Sequence, residues 1–172
     1  MSRSYSAALP IAYVVLRILI VLNWLFGAAI LVLLAWSAAF TDAQWAMALG
    51  HAPSDSLVWG LRAVAALGLV AIPLNDAILR RLVAMVETVR RGDPFVAANA
   101  NRLLAIAWML LALQLLSIVI AAIGKAISTP AHPVQLDAGF SVNGWLAVLL
   151  TFVLARVFAE GALMREDLEG TI

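Results

Sequence analysis

Cysteine is absent from the 172 residues, and histidine occurs only twice. The first absence excludes disulfide frameworks, thiolate metal sites and thiol nucleophiles. Charge is scarce as well: Asp, Glu, Lys and Arg make up 12% of the chain, against about 25% in a soluble domain whose surface faces water. With a net charge of +1 there is no global field to steer nucleic acid, and no direct nucleic-acid partner is expected. Missing too are a His-Glu-x-x-His pair, a phosphate-binding glycine loop and a dinucleotide fingerprint, so enzyme chemistry and cofactors have no positive argument.

What the chain has in abundance is apolar sequence, at 65% of residues and a mean hydropathy of +1.01. A bilayer core of about 30 Å needs roughly 20 apolar residues per helix. Four stretches meet that need or approach it: 11–40, 57–74, 103–123 and 142–158. The first run, from Ile11 to Phe40, is too long for a cleaved signal and reads as a retained span. The expected fold is therefore all-α, a single polytopic domain with four transmembrane helices in a bundle and a helical extension between spans two and three.

Basic residues set the expected direction. Arg3 precedes span one, Arg80, Arg81, Arg90, Arg91 and Arg102 separate spans two and three, and Arg165 follows span four. Those regions, and both termini, are expected in the cytoplasm. The 41–56 loop has no Lys or Arg and the 124–141 loop only Lys125, so both face outwards. Trp36, Trp59 and Trp145 fall near the outer span ends, where indoles sit at headgroup level, and Trp45 extends that belt.

Arg17, Arg62 and Arg156 lie within or beside spans. Snorkelling to the headgroups is the plain expectation for all three, and pairing of Arg17 with Asp76 or Glu160 is the sharper alternative. Asn23 and Gln114 sit deeper and are expected to tie helices together by hydrogen bonds.

After Pro73 the sequence becomes amphipathic. Ile78, Leu79, Leu82, Val83, Val86 and Val89 fall on one helical face, with Arg80, Arg81, Glu87, Thr88 and Arg91 opposite. A helix over 75–91 is expected to lay that apolar face on the headgroup boundary or against a partner helix. Gly92 suits a left-handed stop, and Asp93 is placed to cap a new helix beginning at Pro94. The tail, 159–172, carries Glu160, Glu166, Asp167 and Glu169, and is expected either to be solvated or to be drawn to the Arg80–Arg102 loop.

The motif RRGDPF followed by NANRL, together with VFAEGALMREDLEGTI at the end, resembles a bacterial domain-of-unknown-function family of small four-span membrane proteins. The resemblance covers most of the chain from about residue 60. It rests on Gly92, Asp93, Pro94, Phe95, Asn99, Asn101, Arg102, Glu160, Gly161, Arg165, Glu166, Asp167, Leu168, Thr171 and Ile172. Members are often encoded beside a Cro-type helix-turn-helix regulator, which implies a membrane component that restrains or informs a transcription factor. The family supplies no catalytic residues. The residues expected to bind such a partner are Arg90, Arg91, Gly92, Asp93, Pro94, Phe95, Asn99, Asn101, Arg102, Glu160, Arg165, Glu166, Asp167 and Glu169.

Two chemical readings carry little weight. His132 and Asp137 have the His-x4-Asp spacing of glycerolipid acyltransferases, but Pro133 intervenes, the loop faces outwards and no substrate motif follows. His51, Asp55, His132 and Asp137 form a metal set only if the outer loops pack together, and no metal is expected. The leading functional expectation is a non-enzymatic membrane sensor or anchor for a cytosolic regulator. A lipid- or small-molecule-binding protein or transporter subunit is the alternative, and an accessory subunit of a membrane complex is another. Membrane lipid is the expected surrounding, and a homo-oligomer is compatible with all three readings.

Overall fold

The structure, a computed structural model, describes residues 5–50, 54–130 and 133–169. The described chain is helical with short connections: α1 Tyr5–Ala38, α2 Asp42–Leu49, α3 Asp55–Arg90, α4 Ala97–Ile127 and α5 Val142–Glu169. Helices are what an apolar chain in lipid must form, because only they satisfy every backbone N–H and C=O within one segment. Four of them, all but α2, are long and apolar enough to cross a membrane.

Each long helix overruns the bilayer. With 36 residues at about 1.5 Å each, α3 is about 54 Å long, against a hydrocarbon core of about 30 Å. Pro73 lies inside it without ending it. The helix expected over 75–91 is the continuation of the second span. Part of its apolar face packs within the chain. Ile78 is buried within the chain, and Val83 faces Tyr13 and Ile20 of α1 across a cleft. The fourth span likewise continues as helix past 158, with α5 running on to Glu169.

Ends follow from local chemistry. α2, a helix the hydropathy pattern did not suggest, is built by a capping box in which Thr41 and Gln44 satisfy each other's backbone N–H, and Gly50 stops it in the left-handed region. Ser54 caps α3 by accepting from Leu57 N. At the other end of α3, Gly92 N donates to Val89 O and Asp93 N to Thr88 O, the paired bonds of a Schellman stop, with Gly92 at φ 84°.

Packing is serial. α3 lies between α1 and α4, and α4 lies between α3 and α5, while α1 and α5 do not touch among the described residues. The four spans form an open row rather than a closed bundle. An apolar groove of about 540 Å³ runs over α3 between α1 and α4, lined by Ile30, Leu33, Gly68, Leu113 and Leu116 among others. Polar ties fix the row. Asn23 Nδ2 donates to Ile72 O at 3.0 Å, the interhelical bond expected of it. Gln114 makes no hydrogen bond among the described residues; its amide lies on Gly144 of α5, where a Cβ would collide with it.

Candidate functional site

The corner between α3 and α4 and the last turns of α5 meet at one end of the row. Because Gly92 turns the chain sharply, Asp93, Pro94 and Phe95 run across that end before α4 begins. Asp93 does not cap a helix at Pro94: α4 starts at Ala97, its N-cap is Val96, and no side chain caps it. The Asp93 carboxylate instead accepts from Arg165 of α5. Phe95 packs on Phe158 with the ring planes tilted by 37° and the centroids 5.2 Å apart, and sits so close to Gly161 that any Cβ there would press on its ring.

Asn99 lies beneath this contact and is fully buried, at 0% exposure. Its amide nitrogen donates to Thr88 Oγ1 at 2.7 Å and to Pro94 O at 2.8 Å, and its oxygen accepts from Arg102 at 2.7 Å. A buried amide with its partners in place fixes geometry, because leaving any of them unmet is costly. Asn99 thus clamps the end of α3, the corner and the start of α4 into one piece, and Phe95 and Asp93 attach α5 to it.

The expected partner-binding residues divide accordingly. Gly92, Asp93, Pro94, Phe95, Asn99, Arg102 and Arg165 are engaged within the chain, although Phe95 stays 43% exposed. Arg90 and Arg91 are exposed and both reach Glu87, at 3.4 and 3.3 Å. Glu160 pairs with Arg156 at 2.5 Å along α5, while Asn101 and Glu166 are exposed. The side chains of Asp167 and Glu169, and all of Thr171 and Ile172, lie outside the described residues. The tail does meet the loop, but with charges opposite to those expected, an acid of the loop on a base of the tail. Thr88 and Phe158 went unnoticed as site residues. Phe158 carried a signal, since it lies within the VFAEG motif.

Two further clusters tie α1 to α3. Past the second span, Asp76 accepts from Arg80 at 2.7 Å and from Trp24 Nε1 at 3.0 Å. The Arg80 hydrogen bond holds its carboxyl below the ordinary value, against the opposing effect of desolvation. Asp76 is therefore not the partner of Arg17, and neither is Glu160. Arg17 donates to Tyr13 Oη at 3.0 Å and lies over that ring. At the opposite end Arg62 donates to Ser37 O at 2.6 Å and is flanked by the rings of Trp59 and Trp45. Trp36, Phe40 and Trp45 continue this aromatic cluster edge to face.

Of the suggested metal set, His51 and His132 lie outside the described residues. Among the described ones, no three His, Asp or Glu side chains are grouped to hold an ion. Asp137 lines an outer cavity of about 530 Å³ with Lys125 and Gln135, and Asp55 stands in the first turn of α3.

Four membrane-length helices in a row, joined at one end by a hydrogen-bonded corner, define the class: a polytopic α-helical membrane protein. Residues 43–172 match the family described as protein of unknown function DUF2975, and the chain belongs to that family. The match begins in α2 and takes in the corner and α5, leaving α1 outside it. No curated protein and no solved structure matches the chain.

Proposed function

We propose that this protein is a non-enzymatic sensor or anchor of the bacterial inner membrane, whose corner and tail helix form one cytoplasmic docking face for a soluble transcription regulator. The observation that carries the reading is the joining of two segments 72 residues apart, through Asp93 with Arg165 and Phe95 with Phe158, into a single surface. Without that contact the motif residues would be two unrelated patches. With it, Arg91, Asn101 and Glu166 remain exposed around a fixed frame, which is the division of labour a docking face needs. The helix-turn-helix class of the partner comes from the family resemblance.

The test is purification of the full chain from its native host in mild detergent, beside a variant in which Arg91, Asn101 and Glu166 are replaced by Ala. These side chains are exposed, so the variant keeps the Asn99 clamp. A helix-turn-helix protein retained by the intact chain and lost from the variant supports the reading. Retention of only lipid or other membrane subunits, alike in both, overturns it.

A further inference from the structure

Three arginines converge where α1 leaves the membrane beside α3. Tyr13 is the centre of the arrangement: the guanidinium carbon of Arg17 lies 5.3 Å from its ring centroid and that of Arg90 lies 5.6 Å from it. Arg17 and Arg80 line a cleft of about 420 Å³ together with Tyr13, Ile20, Val83 and Glu87. Arg17 and Arg90, like charges on one ring, repel unless anions answer them. The acids present are already engaged. Asp76 holds Arg80 at 2.7 Å, and Glu87 is shared between Arg90 and Arg91. Arg17, whose hydrogen bond goes to a neutral phenol, has no carboxylate among the described residues.

We propose that this cleft binds an anionic phospholipid, whose phosphate answers Arg17, flanked by Arg80 and Arg90, and whose acyl chain follows Ile20 towards the membrane core. Two features favour a lipid over a free anion. The cleft is polar at its arginines and apolar along Ile20, Val83 and Ala84, matching an amphiphile rather than an ion. It also lies at the end where α1 and α3 pass through headgroup depth, and basic pockets between membrane helices are where such headgroups lodge. The site draws on Tyr13, Arg17 and Ile20 of α1, which lies outside the family match.

The experiment is native mass spectrometry of the full chain in detergent, titrated with phosphatidylglycerol, phosphatidylcholine or inorganic phosphate. Arg17→Gln, Arg90→Gln and their combination are compared with Arg156→Gln, a control whose arginine lies at the same end on α5. Each arginine near a headgroup is worth about 1 kcal/mol, so phosphatidylglycerol should bind about fivefold more weakly to each single cleft variant and more weakly still to the double. Arg156→Gln and phosphatidylcholine set the baselines: unchanged and weak, respectively. Unaltered melting temperatures will show that the variants fold. Equal binding of the two lipids, an equal loss with Arg156→Gln, or displacement of the lipid by inorganic phosphate would each overturn the proposal.

Discussion

Asn99 and Asp93 show how differently two polar residues a few positions apart contribute. Asn99 is fully buried and exchanges three hydrogen bonds, so truncation takes one partner each from the half-buried Thr88, Pro94 and Arg102 and leaves a void where the amide stood. Asn99→Ala should cost about 2–3 kcal/mol. The Asp93 and Arg165 side chains are each more than a third exposed, and such a pair is worth about 0–1 kcal/mol. Asp93→Ala should therefore leave stability nearly unchanged, as measured by thermal unfolding in detergent; equal losses in the two variants would mean the clamp is misassigned. Gly161 makes a third case. Because a Cβ would stand 2.9 Å from the Phe95 ring, Gly161→Val should drive that ring off Phe158 while the Asn99 clamp survives. The chain's lack of cysteine makes the displacement readable: a lone cysteine replacing Ala162, buried at 5% exposure beside Gly161, should gain reactivity towards a maleimide when Gly161→Val is added. The motif positions were legible in the sequence as a set. Their roles were not, because whether Asp93 caps a helix or meets Arg165 depends on where α5 ends, and no local pattern specifies that.

At the scale of elements, hydropathy revealed the four spans but neither their true lengths nor their neighbours. Lipid supplies the same apolar environment as a neighbouring helix, so Leu and Ile on a span do not report which face is packed. α1 illustrates the point, with Ile11, Leu25, Phe26 and Leu33 all more than half exposed on a helix that packs only on α3. The polar ties do report it. Asn23, Trp24 and Arg62 each bond across the α1 and α3 pair, and Trp108 meets Phe152 between α4 and α5 at 5.3 Å. α2 escaped notice because its signal is a capping box in a loop rather than an apolar run. The row predicts a crosslinking pattern. Cysteines replacing Trp108 and Phe152 should be bridged within one chain by a short bis-maleimide, whereas cysteines replacing Leu25 and Val153 should not. Efficient bridging of the latter pair within a monomer would mean that the row closes.

For the whole molecule, the distribution of charge is the remaining argument. Of eleven Lys and Arg residues, only Arg62 and Lys125 belong to the end that carries α2, and the other nine lie towards the end of the corner and both termini. An even number of spans places the termini on one side, and the excess of basic residues there is the ground on which we propose that this side is cytoplasmic. The aromatic cluster gives the opposite end a matching anchor. Trp36, Trp45 and Trp59 gather round Arg62, an arrangement suited to headgroup depth, where the guanidinium keeps its hydrogen bond to Ser37 O while the indoles face the interface. A fluorescent reporter that matures only in the cytoplasm should therefore be bright when fused after Ile172 and dark when inserted at Ala48 in α2. A phosphatase that is active only outside should give the reverse pair. The bias is held by several arginines at once, so replacing Arg80 and Arg81 by Ala should leave both signals in place. Adding three lysines to the α2 connection should reduce the C-terminal signal, because the two ends would then compete. A dark C-terminal fusion on the unaltered chain would place the corner outside, beyond the reach of any cytosolic regulator, and the docking reading would fall with it.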